Sequence, residues 1–522
     1  MKKFFFLLVV FLTGAIASAQ QDDEMASPKI NTTDGMLQGL NESGIRIFKG
    51  IPFAQPPVGD LRWKEPQPVK HWDGVRKADR FGPRAMQLPI YSDMNFRSDS
   101  VSEDCLYLNV WTPAKSGKEM LPVLVYFYGG GLMAGDGSEF RYDGESMARR
   151  GIVAITVNYR LSVFGFLAHP DLTKESPHHA SGNYGFLDQY AALAWVNRNI
   201  KAFGGDPEKV TIAGESAGSF SVSALMASPL SKLLIRGAIG ESGSLLGLQP
   251  TAELAVAEKA GSSFGASLGA NSLAALRMLP ASQILKATAS AGYGRFPVCI
   301  DGYFFPKSPL EIYISGEQAK VPLLVGWNSE EGNWRFVLGG NQPTKENFVK
   351  AIQKMYGDHA EEGIKAYYVT GDADVESVGT DLGSDLFIGF STWRWSDLQT
   401  QTGGSKVYRY FYAHPRPGTR QPQKSPVPIG AVHSSEIEYA LGNLPTNRVF
   451  DWQPDDYEVS AILQTYFANF IKTGDPNGLG VPDWPANTRD KKVEVMHVNV
   501  NSMAEPDKTR QRYLFLELTA KK

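Results

Sequence analysis

Val210-Thr211-Ile212-Ala213-Gly214-Glu215-Ser216-Ala217-Gly218 is the stretch on which the reading of this chain turns. Its first four residues are a short apolar run of strand formers, and Ala217 to Ala227 reads as a helix. Between them stands Gly-x-Ser-x-Gly, the pattern of a strained strand-to-helix turn that lifts a serine hydroxyl clear of a sheet. Side chains in place of the two glycines would collide with the neighbouring strand and helix. The pentapeptide alone is weak evidence, because it also occurs as Gly261-Ser262-Ser263-Phe264-Gly265 and as Gly265-Ala266-Ser267-Leu268-Gly269. Both of those lie in an Ala-rich helical stretch with no strand before them. Context therefore selects Ser216.

On either side of this stretch, strand and helix alternate. Leu106 to Trp111 has a strand-like alternation, while Pro122 to Phe127 and Ile152 to Tyr159 are nearly continuous apolar runs. Such runs suit strands covered on both faces by helices. Between Asp188 and Ile200 the apolar residues Tyr190, Leu193, Ala194 and Val196 recur at helical spacing. Short antiparallel strands and turns are expected from Ile30 to Val75, and later strands at Val321 to Val325 and Val407 to Tyr412. Helices are expected within Thr251 to Ser290 and from Tyr457 to Ile471. The pattern predicts an α/β fold with a mostly parallel central sheet flanked by helices, with helical insertions.

The 522 residues are 43% hydrophobic and 20% charged, with no repeat, linker or low-complexity tract, which points to one domain over 20–522. A formal net charge of −3 gives no attraction for nucleic acid or an anionic membrane. Residues 1–19 read as a signal peptide. Lys2 and Lys3 precede an apolar run from Phe4 to Ile16, and Ala17-Ser18-Ala19 supplies a small-x-small cleavage site before Gln20. Export to the periplasm or the medium is the expectation, and no later segment reads as a membrane span. Cys105 and Cys299 are too few to make a disulfide framework, so stability must come mainly from the core.

A serine hydroxyl becomes a nucleophile only with a base, an acid that orients the base, and a trap for the oxyanion. Tyr128-Gly129-Gly130-Gly131 follows the strand that ends at Phe127, and its glycines can turn N–H groups inward. A further N–H comes from the residue after the nucleophile, Ala217. No lysine or Ser/Thr pattern of a nucleotide-binding loop follows these glycines, which argues against a phosphate cradle.

In this kind of site the chain order is nucleophile, acid, histidine, which leaves His359, His414, His433 and His497. His497 sits in an alternating strand and His359 in a polar helical region. His433 lies in Gly430-Ala431-Val432-His433-Ser434-Ser435-Glu436, a loop entering a helix, and its nearest rival is His414, between a strand and Pro415. For the acid, Gly326 to Gly332 follows a strand, where ligands meet an open α/β sheet. The pattern leaves Glu330 and Glu331 tied. The chemistry calls for no metal and no cofactor.

With these pieces in hand, the chain resembles the type-B carboxylesterase family, the α/β-hydrolases that include the cholinesterases. The resemblance runs from about Gly35 to Pro485. It is carried in order by Phe48-Lys49-Gly50-Ile51-Pro52-Phe53-Ala54, Leu61-Arg62-Trp63, Glu103-Asp104-Cys105-Leu106-Tyr107-Leu108-Asn109 and Asn158-Tyr159-Arg160. Gly182-Asn183-Tyr184-Gly185-Phe186-Leu187-Asp188-Gln189, Phe203-Gly204-Gly205-Asp206-Pro207 and Thr473-Gly474-Asp475-Pro476-Asn477 continue it. It implies Ser216 as nucleophile, Glu331, directly before Gly332, as acid, His433 as base, and an oxyanion hole from the N–H groups of Gly130, Gly131 and Ala217. The implied reaction is hydrolysis of a small-molecule carboxylic ester through an acyl-enzyme. A same-fold amidase or peptidase would share this machinery, whereas a non-catalytic adhesion relative would have lost the triad.

The chain also departs from the family. Members often pair the cysteine of Glu-Asp-Cys with an earlier one after Phe-Gly-Pro, but no cysteine follows Phe81-Gly82-Pro83, which leaves Cys105 without that partner. No tryptophan lies between Ala85 and Cys105 to stack on a quaternary ammonium, so a choline site is not expected. The compact leader and the scarcity of cysteine resemble a bacterial member.

Overall fold

The computed structural model describes residues 27–290, 295–421, 429–489 and 492–520, so the expected signal peptide lies outside it. Eleven strands form one sheet: β1 (Leu40–Glu42), β2 (Ile45–Pro52), β3 (Tyr107–Thr112), β4 (Leu121–Phe127), β5 (Val153–Val157), β6 (Gly205–Glu215), β7 (Gly237–Glu241), β8 (Leu323–Asn328), β9 (Val407–Tyr412), β10 (Glu494–Val498) and β11 (Met503–Pro506). Their spatial order is β1-β2-β3-β5-β4-β6-β7-β8-β9-β10-β11. Every neighbouring pair from β5 across to β10 is parallel. The pairs outside that span are antiparallel. This is the α/β-hydrolase architecture, with central strands such as β4, β5 and β8 buried along almost their whole length.

Helices pack on both faces, among them α1 (Tyr184–Asn199), α2 (Ala217–Ala227), α3 (Leu254–Ser267), α4 (Phe390–Thr402) and α5 (Pro454–Thr473). Helix α1 starts ahead of the expected Asp188, whose buried carboxylate lies inside the helix and pairs with Arg160, just past β5, at 2.7 Å. Strand β6 extends well beyond the four apolar residues that announce it, with a register irregularity between Gly205 and Val210.

Strand β7, Gly237-Ala238-Ile239-Gly240-Glu241, has too little apolar character to be read from sequence. Packing explains its composition, because a Cβ on Gly240 would lie 2.2 Å from the ring of Trp395 on α4. The two competing Gly-x-Ser-x-Gly matches fall in and just beyond α3. Gly261 serves a close helix approach there, since a Cβ on it would meet the Ala168 carbonyl oxygen at 1.8 Å. Cys105 and Cys299 are both buried and unpaired. Among the described residues, no helix is long and apolar enough to cross a membrane.

Candidate active site

Strand β6 ends at Glu215 and α2 begins at Ala217, so the whole strand-to-helix reversal falls on Ser216. Its backbone takes φ 55° and ψ −120°, a conformation that L-residues rarely adopt. The flanking glycines permit it. A Cβ on Gly218 would lie 2.0 Å from the Phe127 carbonyl oxygen, and one on Gly214 would lie 2.6 Å from the same atom. Ser242, just past β7, and Ser434 also have positive φ, 56° and 65°. Backbone strain of this kind gathers where side chains must be aimed.

The hydroxyl of Ser216 lies 3.0 Å from Nε2 of His433, and Nδ1 of His433 lies 2.6 Å from Oε2 of Glu331. An Nδ1–H donated to the carboxylate leaves Nε2 as an acceptor for the serine proton. The other carboxylate oxygen, Oε1, accepts from the Asn328 N–H at 2.7 Å and from the Ser242 hydroxyl. Glu331 is thus held from three sides, its side chain out of solvent.

The neighbouring Glu330 lays its carboxylate against Gly430, where a Cβ would meet Oε1 at 3.0 Å. Its N–H donates to the Ala431 carbonyl at 2.8 Å, while the Ala431 N–H donates to the Ser329 hydroxyl at 2.9 Å. These bonds stitch the loop that carries Glu331 to the loop that carries His433. Phe387 sets its ring nearly perpendicular to the His433 imidazole, with centroids 5.1 Å apart.

The other candidate histidines are engaged elsewhere. His414 pairs with Asp456 at 2.8 Å in the first turn of α5, His497 lies in β10, and His359 is at a helix junction. Ser262 and Ser263 lie inside α3, and Ser267, its last residue, donates to the Phe264 carbonyl.

Gly130 and Gly131 follow β4 with φ 110° and 66°, conformations that favour glycine. Gly129 backs onto the Ser216 turn, for a Cβ on it would lie 3.1 Å from that of Ser216. Ala217 opens α2, where an N–H has no acceptor within the helix. Gly130, Gly131, Ser216, Ala217 and His433 all line one cavity of ≈ 590 Å³.

Sequence reasoning passed over a set of buried carboxylates beneath this chain of groups. Oε1 of Glu215 lies 3.3 Å from Nε2 of His433, and burial pushes Glu215 up to about 8. Glu436 accepts from the Asn328 side-chain amide and lies 3.2 Å from the Ser242 hydroxyl, and burial with the nearby Glu331 charge pushes it up to about 7. For His433, burial opposes the charged imidazolium, but the carboxylates of Glu215 and Glu331 outweigh it and raise the group above its ordinary value. Glu215 stood inside the quoted pentapeptide, at a position that the pattern leaves unspecified. Among the described residues, no three His, Cys, Asp or Glu side chains are grouped to hold a metal ion.

Sheet order, strained serine and ordered hydrogen bonds together define a serine hydrolase-like site on an α/β-hydrolase fold. The carboxylesterase family model matches residues 26–515, and the chain belongs to that family. It is 34% identical to the fumonisin B1 esterase of Sphingopyxis macrogoltabida, over 94% of this chain and 91% of that protein. It is 32% identical to the para-nitrobenzyl esterase of Bacillus subtilis (strain 168), covering 93% and 98% of the two chains. A solved PNB esterase structure superposes with TM-score 0.80 at 30% identity, over 94% of this chain and 99% of that one. A carboxylesterase structure from Geobacillus stearothermophilus matches with TM-score 0.80 at 31% identity, over the same shares.

Proposed function

We propose that the protein hydrolyses small-molecule carboxylic esters through an acyl-enzyme on Ser216. The observation that carries this is the 3.0 Å approach of the Ser216 hydroxyl to an imidazole that Glu331 holds at 2.6 Å. His433 takes the serine proton as Oγ attacks the ester carbonyl, and Glu331 fixes the tautomer and stabilises the imidazolium. The N–H groups of Gly130, Gly131 and Ala217 receive the oxyanion, each donor worth about 10²–10³ in rate. His433 then protonates the departing alcohol and activates the water that releases the acid. The names of the relatives, esterases of fumonisin B1 and of para-nitrobenzyl esters, support small organic esters as the substrate class.

Residues 20–522 are read as one catalytic domain behind an export signal cleaved after Ala19. Sequencing the amino terminus of the protein recovered outside the cytoplasm tests that reading.

Labelling with a serine-directed organophosphate, followed by peptide mapping, tests the nucleophile. Label on Ser216 is expected, whereas label on Ser262, Ser263 or Ser267 with Ser216 unmodified would overturn the assignment. Matched ester and anilide substrates separate an esterase from an amidase of the same fold.

A further inference from the structure

The cavity around Ser216 holds one charge that the proposed ester chemistry does not use. Of its cations, Arg141 is already neutralised, by Glu139 at 2.6 Å and by Asp93 at 3.3 Å. Glu215 is buried against His433. Arg295 lines the same cavity, is solvent-exposed, and pairs with no acidic side chain among the described residues.

Its place relative to the proposed oxyanion loop is defined. A Cβ on Gly131 would lie 3.2 Å from Nη2 of Arg295 and 3.1 Å from the hydroxyl of Tyr91. A guanidinium and a phenol therefore stand together over a glycine of the proposed oxyanion hole. Met94, Leu132, Phe220, Leu245 and Phe296 supply apolar wall in the same cavity. An unpaired guanidinium in such a recess is matched in charge and planar geometry by a carboxylate, which it can bind through two parallel hydrogen bonds.

We propose that Arg295, with the Tyr91 hydroxyl as a second donor, makes the site selective for esters that carry a free carboxylate close to the scissile bond. This rests on the ester-hydrolase reading and names its substrate class. Arg295 acts on substrate choice: a neutral ester leaves the guanidinium to water and is turned over without it.

Two matched substrate pairs test this with wild type and Arg295→Gln. One pair places the charge in the acyl half (mono-4-nitrophenyl glutarate against 4-nitrophenyl pentanoate), the other in the alcohol half (3-acetoxybenzoate against 3-methylphenyl acetate). Arg295→Gln is expected to lower kcat/KM on the charged member of at least one pair by about tenfold or more, the usual scale for a hydrogen bond to a charged group. Neutral members should stay within about twofold, and the loss should appear mainly in KM. Equal effects on charged and neutral members of both pairs, or no effect, would overturn the proposal. The ester reading fails separately, if wild type hydrolyses no member of either pair faster than Ser216→Ala does. Arg295 is exposed and pairs with no acidic side chain among the described residues, so the variant should fold as wild type does, which circular dichroism checks.

Discussion

The carboxylate of Glu215 lies 3.3 Å from Nε2 of His433, the same nitrogen that faces the Ser216 hydroxyl. A negative group there stabilises the protonated imidazole, and a base must be neutral to accept the serine proton. His433 is raised above its ordinary value, so activity should fall as pH drops through that raised value, with an acid limb above about 6.5. Glu215→Gln removes one of the charges that raise it and should move the limb to lower pH. The pH dependence of kcat/KM for both proteins measures this, and an unmoved limb would contradict it.

Ser216→Ala and His433→Ala should each lower kcat by more than about 10⁴, and Glu331→Gln by about 10⁴ because the imidazole loses its productive tautomer. Ser242→Ala removes only one donor to the Glu331 carboxylate and should cost about 10–100-fold. Steady-state turnover of 4-nitrophenyl acetate, with circular dichroism to confirm folding, ranks the four variants. A Ser242 variant as inactive as the Glu331 variant would overturn this order.

Gly218→Ala would drive a methyl to 2.0 Å from the Phe127 carbonyl oxygen, a backbone atom with no freedom to yield. The expected cost is about 1–3 kcal/mol or more, seen as a lower Tm or as loss of soluble protein. Gly340→Ala is the matched control, with nothing within 4 Å of its new Cβ, and should leave Tm unchanged.

Asp188 and Arg160 form a bidentate pair with almost no solvent contact, at 2.7 and 2.8 Å. Asp188→Ala strands a buried guanidinium and should cost about 3–5 kcal/mol, whereas Arg160→Met with Asp188→Leu should recover most of it. Urea unfolding of the three proteins checks both statements.

The sequence made some elements plain and hid others for physical reasons. Strands β4, β5 and β9 stand out because both their faces are largely buried, so β-branched, aromatic and other apolar residues predominate, broken only by Thr156 in β5 and Arg409 in β9. Strand β7 is equally central but carries glycines, and the reason for Gly240 is an indole on a helix remote in sequence.

The site followed the same logic. Ser216 was legible because its constraints are local, a strand, a turn and a helix in succession. Glu330 and Glu331 looked alike because only the turn after β8 decides which carboxylate faces Asn328 and His433. His414 lost its claim through Asp456, a partner no local pattern announces. Ser242 was invisible because it lies just past the strand that sequence could not show.

The three side chains of the proposed triad come from the ends of β6 and β8 and from the loop after β9, so Ser216 precedes His433 by 217 residues. A growing or truncated chain that stops short of residue 433 can shape the bent serine yet holds no imidazole to take its proton. Chemical competence is thereby deferred until the late strands dock, and the return of ester turnover during refolding should track closure of that edge of the sheet, not collapse of the amino-terminal half.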